Sequence, residues 1–348
     1  IVRRLVGSEM CIRDRNIYGE DEVQEVVVIS SKYPVPLQEV VGSVDSISLE
    51  NLETRMVSDL SDMLDKTIGV SVSKRNVSGR AYNDGISIRG LGGKRVNILI
   101  DGIRVAEAYT GYGRDVVDVD LLKRVEILKG PSSALYGSDG LAGAVSYITK
   151  DPSDLADFGE NYFSVNTSYD EDNEQTKVGF MAARVGEIIE GLIQVTSREL
   201  SQLELHDDAI LELDPFDGEQ LSVLAKFKFS LSESVDITLV LDSQEFEGDY
   251  IFNSQAGMSY FPQVTSTSNV IGVDDGNRDR GTLSLDFSNE TPLFDNGSIR
   301  FYAQETDQKQ ITARSKQIFG QGPPSMVNAF RDYQFNQEID GFLSLIHI

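Results

Sequence analysis

Apolar and polar side chains alternate with period two through most of the second half of the chain. Phe163, Val165, Thr167 and Tyr169 share one face, and Ser164, Asn166 and Ser168 the other. Leu221, Val223, Ala225, Phe227, Phe229 and Leu231 alternate with Ser222, Leu224, Lys226, Lys228 and Ser230. Beyond a tight Ser232–Ser234 turn, Val235, Ile237, Leu239 and Leu241 alternate with Asp236, Thr238 and Val240. Leu283, Leu285 and Phe287, then Ile299, Phe301 and Ala303, repeat the pattern. This period predicts strands with one apolar face. The short Ser232–Ser234 turn contrasts with a long polar stretch from Gly248 to Asp279, read as a loop.

Before Asp151-Pro152 the texture differs, with glycine clusters and short apolar runs that suggest a compact mixed domain. Glu25–Ser30 is a short β-prone run, followed by a turn-prone Tyr33–Pro36. Met56, Leu60, Met63 and Leu64 lie at helical spacing, and Gly69 ends that helix. Ile86–Arg89 reads as a strand. Val96–Ile100, Asp101-Gly102 and Ile103–Val105 form a hairpin signal, because Asp-Gly supplies the positive φ of a type I′ turn. Arg124–Leu128 is another strand, broken by Gly130-Pro131. Ser132–Tyr136 forms a short helix with serine near its cap, and Val145–Thr149 closes the domain. The expected fold is an α+β domain followed by a mainly β portion.

No run approaches the ~20 apolar residues of a membrane helix, whereas a β-barrel strand needs only about ten of alternating polarity. A soluble β-sandwich alternates in the same way, so alternation leaves both readings open. The formal charge of −25 disfavours nucleic acid, which requires a basic face. Acidity of this kind is ordinarily a solvated surface.

The two ends alter these counts slightly. Glu9–Arg15 can be written GAG ATG TGT ATA AGA GAC AG, whose reverse complement translates to the Leu343–Ile348 sequence. The string resembles a transposon-adapter end used for sequencing libraries. Residues 1–15 and 343–348 are therefore expected to be translated adapter and are set aside from fold reasoning. Without them the charge becomes −27, Cys11 and His347 are lost, and His206 is the remaining histidine. Cysteine-based metal or disulfide frameworks are excluded within the rest. His206 reads as a solvated loop residue. Gly90–Lys94 lacks the spacing of a phosphate loop, and Asp170–Glu174 lacks the central glycine of a calcium loop. No metal site is expected.

The ordered set Ile88–Val96, Ile98–Arg104, Arg124–Gly137 and Gly140–Val145 resembles the plug domain of TonB-dependent outer-membrane receptors. The resemblance runs from about Val26 to Pro152, and beyond it the likeness to the receptor barrel is one of texture. It implies an α+β plug over residues 31–152 and an incomplete antiparallel transmembrane β-barrel over 153–342. It also implies that residues 16–30 carry the TonB box, at Glu25, Val26, Val27, Val28 and Ile29, which pairs with the TonB energy-coupling protein by strand addition. The plug motif comprises Arg89, Gly90, Asp101, Gly102, Arg124, Glu126, Gly130, Pro131, Tyr136 and Gly137. Arg89, Arg124 and Glu126 are expected to pair with each other or with the wall. In the family such arginines face barrel glutamates.

Leu135–Tyr147 continuing to Leu155 is similar to the heme and hemoglobin receptor branch, in which an apical plug loop commonly offers a heme ligand. The corresponding loop, Val105–Asp118, holds Tyr109 and Tyr112, with Arg114 beside them, and Tyr112 stands where histidine is expected. Tyrosinate ligates ferric heme in catalase. The resemblance implies an outer-membrane transporter of a Gram-negative bacterium rather than an enzyme. Its expected partners are TonB, membrane lipid and an iron-bearing ligand or its carrier protein. Transported heme comes first and a ferric siderophore second, with no resident cofactor. A glycan importer of the same architecture and a soluble β-sandwich binding module are the alternatives. Receptors of this type close with about 22 strands. Residues 153–342 offer about eight, so an open, curved sheet with unpaired edges is expected.

Overall fold

The computed structural model describes residues 26–32, 35–40, 42–48, 63–64, 66–72, 86–105, 117–171, 174–201, 214–288, 296–320 and 322–347. Strands β1 (Val26–Val27) and β2 (Val35–Pro36) pair as a small hairpin whose turn lies at residues 29–32. Val35-Pro36, read as part of a turn, is strand, and Tyr33-Pro34 lie outside the described residues. A five-stranded sheet follows, built from β3 (Val44–Ser48), β6 (Val96–Ile100), β7 (Ile103–Arg104), β8 (Leu122–Lys129) and β9 (Gly143–Thr149). Its order is β3-β8-β9-β6-β7, antiparallel except for the β6–β9 pair. The strands β4 (Val70–Val72) and β5 (Ile86–Ile88) form a separate pair.

Local chemistry explains these joints. Asp101 and Gly102 both take positive φ, 49° and 80°, as the two-residue hairpin between β6 and β7 requires. Gly143 sits at φ +152° against the Leu128 carbonyl oxygen, which leaves no room for a Cβ at that crossing. The helix Ser133–Tyr136 forms after Gly130-Pro131, but Ser132 does not cap it. Its hydroxyl instead donates to the Gly140 carbonyl at 3.3 Å. Met63 and Leu64 are helical and fully buried, while Met56 and Leu60 lie outside the described residues. They join Ile86, Ile88, Val96, Val125, Ile127 and Val145 in one core.

The second portion is a sheet of long antiparallel strands, β10 (Asn161–Asp170), β11 (Gln175–Val185), β12 (Ile189–Ser201), β13 (Phe216–Ser232) and β14 (Val235–Ile251), continuing with a short β15 (Gly257–Ser259) and with β16 (Thr265–Ser288), β17 (Asn296–Ile318) and β18 (Ser325–His347). The order is sequential, β15 pairing only with β16, and β10 and β18 are open edges among the described residues. The open, unclosed sheet matches the expectation. Two details differ. The stretch Gly248–Asp279 is mostly strand, because the β14–β16 ladder runs without interruption from Phe287 to Ile271. Only its centre turns back: buried Asp214 accepts from the Ser254 amide and hydroxyl, each at 2.7 Å, and fixes that turn. Residues 343–347, set aside as adapter, continue the β17–β18 register.

The polarity of this sheet is inverted relative to a soluble sandwich, whose apolar face is the covered one. Here the face toward the N-terminal domain buries Gln194, Arg198, Lys226, Asp242, Arg280 and Ser284. The opposite face is apolar and in register across strands: Phe227 with Leu239, Leu239 with Leu283, and Leu283 with Phe301. On β13 the outward apolar run extends from Leu221 to Leu231, close to the ~9–11 tilted residues that cross a hydrocarbon layer. Beyond it the same face becomes acidic and exposed, with Asp217, Glu219, Glu245, Glu247, Asp275, Asp279, Glu305 and Asp307.

Candidate functional site

The N-terminal domain meets the inner wall through two buried charge clusters. The first is built by the 3-10 turn Val119–Leu121 and its N-cap residue Asp118. Asp118 accepts the Asp120 amide at 3.0 Å, shaping the turn, and accepts Arg198 Nη2 at 2.7 Å. Arg198 also bridges to Asp120, Lys177 Nζ reaches Asp120 at 3.1 Å, and Gln194 donates to its carbonyl at 2.8 Å.

The second cluster centres on the Asp101-Gly102 turn. Thr149 donates to the Asp101 carboxylate from its amide at 2.9 Å and from its hydroxyl at 3.0 Å. Arg280 Nη1 donates to the Ile100 carbonyl at 2.7 Å. Its Nη2 bridges Asp101 and Asp242 at 3.0 and 3.1 Å. Arg278 holds the other Asp242 oxygen at 2.9 Å, and Arg300 donates to the Asp101 carbonyl at 2.6 Å. Lys226 joins Asp151 at 2.7 Å, where Lys123 also pairs. Two wall arginines, Arg280 and Arg300, therefore hold this β-turn directly, and Lys226 adds its charge from beside Asp151.

Burial pushes the Asp101 carboxyl up, but Lys226, Arg280 and the Thr149 donors outweigh it and bring the pKa from 3.8 to about 2. Asp151 is lowered in the same way, with burial opposed by Lys226 and Lys123. A lowered pKa contributes stability above the ordinary carboxylate value and loses it as pH falls toward the folded value. The seat of this domain is expected to hold unchanged from pH 7 to 5 and to weaken between about pH 4 and 2. Acid titration of stability checks this, and Asp101→Asn is expected to flatten that limb.

The sequence-derived residues fall in three places. Asp101 and Gly102 form the gripped turn. Arg124 and Glu126 pair with each other, Nε to Oε1 at 2.7 Å, and among the described residues neither has an ion pair with the wall. Arg89 is exposed at φ 53°, beside Gly90, and its amide bonds the Gly69 carbonyl at 2.7 Å. Gly130, Pro131, Tyr136 and Gly137 frame the short helix. Among the described residues the interface has the reverse polarity to the one implied: aspartates on the domain, arginines and lysines on the wall. Val27 and Ile29 are buried at 0% and 1%, so this β-prone run lies against the domain. Val28 lies between them, Val26 is described by its backbone alone, and Glu25, Tyr109, Tyr112, Arg114 and His206 lie outside the described residues. The residues the sequence did not single out are Asp118, Asp120, Asp151, Arg198, Lys226 and Arg280. For Arg198, Lys226 and Arg280 the signal is a charge on the inward parity of a strand whose outward parity is apolar, whereas Asp118, Asp120 and Asp151 lie in turns and carry no such mark.

Residues 36–144 match the TonB-dependent Receptor Plug Domain family. Hemoglobin-binding protein A of Haemophilus influenzae is 28% identical over 316 residues, covering 83% of this chain and 30% of that protein. Vitamin B12 transporter BtuB of Vibrio vulnificus is 37% identical over 124 residues, 36% of this chain and 20% of that protein. The chain thus spans a fifth to a third of these curated relatives. Among solved structures, the FrpB iron transporter of Neisseria meningitidis superposes with TM-score 0.64 at 16% identity, over 86% of this chain and 49% of that one. The Serratia marcescens hemophore receptor HasR, in complex with its hemophore HasA and heme, gives 0.52 at 15% identity, over 86% and 60%. A matched plug, the open antiparallel sheet beside it and relatives of one kind lead to one conclusion: residues 36–144 of this chain are a plug domain of the TonB-dependent receptor family, followed by a sheet whose fold is similar to part of those receptors' barrels.

Proposed function

We propose that the protein containing this chain is an outer-membrane transporter that imports an iron-bearing ligand by energy-coupled rearrangement of its plug. One observation carries the reading: the sheet is apolar outward and charged inward, against a domain seated by ion pairs. A lipid-facing wall around a hydrated, charge-lined plug needs that polarity, and a soluble sandwich needs the opposite. Arginine at Leu239, midway along the outward apolar band, is expected to cost about 2–4 kcal/mol when the full-length receptor folds into lipid vesicles. A cost near zero would place that face in water.

Heme is favoured as the ligand because the similarity to hemoglobin-binding relatives extends through 83% of the chain into the barrel strands, whereas that to the vitamin B12 transporter is confined to 36%. A ferric siderophore is the second reading, supported by likeness to the siderophore receptor PiuA of Acinetobacter baumannii, TM-score 0.51. Coupling would run through residues 25–29 to TonB. Tyr109, Tyr112 and Arg114 would face the ligand from the plug apex. A phenolate oxygen is a hard donor for ferric iron, and Tyr112→Phe keeps the ring while removing that oxygen. Full-length receptor titrated with hemin is expected to show a phenolate-to-iron charge-transfer band that Tyr112→Phe abolishes, with Tyr109→Phe as the control for a swapped assignment. Wild-type spectra from both variants would exclude the phenolate. No hemin binding by the wild type would make the siderophore the leading ligand.

A further inference from the structure

We infer that Glu126 holds the coupling segment closed, so that residues 28–29 cannot accept a partner strand until they leave this carboxylate. The inference rests on the reading of residues 25–29 as the coupling segment. The Val28 and Ile29 amides both donate to Glu126 Oε2, each at 2.8 Å. In an extended strand successive amides point to opposite sides, and a ladder needs that alternation. Two consecutive amides converging on one oxygen form an anion nest instead.

The remaining backbone groups of 28–29 are also occupied. The Val28 carbonyl accepts from the Ser31 and Lys32 amides at 3.2 and 2.8 Å. The Ile29 carbonyl accepts from the Tyr136 hydroxyl at 2.8 Å. Each backbone donor and acceptor of these two residues is thus already engaged. The Ile29 side chain packs among Leu99, Leu128 and Ala144, with Val44 and Tyr136 against them. Upstream, Val26 and Val27 are already paired with Pro36 and Val35.

The closing group is itself fixed. Glu126 is fully buried and anchored by Arg124. Burial, with the Glu126 charge nearby, pushes the Tyr136 hydroxyl up, so it stays a protonated donor at neutral pH. The Lys32 ammonium lies 5.4 Å from the centre of the Tyr136 ring and covers it. Glu126 and Tyr136 thus occupy the hydrogen-bonding groups that a coupling strand would need, and both belong to the plug motif itself.

Hydrogen–deuterium exchange of full-length receptor in lipid nanodiscs, with no coupling protein present, tests this. The peptide covering 25–32 is expected to be protected in the wild type. Glu126→Ala and Tyr136→Phe are each expected to speed its exchange by about tenfold or more, while the β6–β7 peptide 96–105 stays unchanged. If Glu126→Ala also loosens 96–105, Tyr136→Phe, which keeps the ring, decides alone. Unprotected exchange in the wild type, or wild-type rates at 25–32 where 96–105 is intact, would overturn the inference. Coupling elsewhere in the chain would leave these rates as expected and would appear only as normal uptake by variants of the segment.

Discussion

Replacing Arg280 with methionine is expected to weaken the seat of the plug by about 3–5 kcal/mol, the usual cost of removing one partner from a buried ion pair. The cost is large because Arg280 serves three acceptors at once: the Ile100 carbonyl, Asp101 and Asp242. Methionine fills similar volume but leaves two carboxylates facing each other in a site from which water is largely excluded. Arg280→Lys is expected to recover only part of the loss, because an ammonium is a point charge and lacks the planar fork. Adding Asp101→Asn to Arg280→Met is expected to restore part of the stability, since Asp242 keeps its pair with Arg278 and the carboxylate of the turn no longer stands without its guanidinium. Denaturant titration of the folded full-length receptor measures all three. A loss below about 1 kcal/mol for Arg280→Met would show that the cluster is solvated like a surface pair.

What the sequence disclosed follows from the range over which each signal acts. The Asp101-Gly102 hairpin was legible because a type I′ turn is decided by two adjacent residues. The strands from Leu221 to Leu241 were legible because a sheet with one apolar and one polar face imposes opposite demands on alternate positions. The grip on Asp101 was not, since Lys226, Arg280 and Arg300 stand on three different strands and meet one turn only through tertiary packing. Their parity marks them as inward, but parity names no partner. The extension of β14 and β16 past the apolar band was missed for a related reason. Beyond Asp279 both faces are polar, with Asp275 outward and Asp274 inward, so alternation of hydrophobicity vanishes while the hydrogen-bond ladder continues. The docking of residues 28–29 was not legible either, because their amides meet Glu126, about a hundred residues away.

Proline at Val27 is expected to abolish energised uptake by the full-length receptor while leaving ligand binding at the cell surface intact. Proline removes a ladder donor and fixes φ, so it cannot continue a strand paired with a partner. Val27 is also fully buried and paired with Val35, so the substitution disturbs the resting plug as well. Val27→Ala separates the two effects. It trims the buried side chain but keeps the amide, so strand addition survives and only the local packing of β1 weakens. If residues 25–29 couple to TonB, Val27→Pro loses uptake and Val27→Ala keeps most of it, at equal surface binding. If the segment is only a terminal strand of the plug, both variants lower stability, and uptake follows the amount of folded receptor. Paired measurements of surface binding and energised uptake, normalised to receptor in the membrane, distinguish these outcomes, and normal uptake by Val27→Pro would move the coupling segment elsewhere.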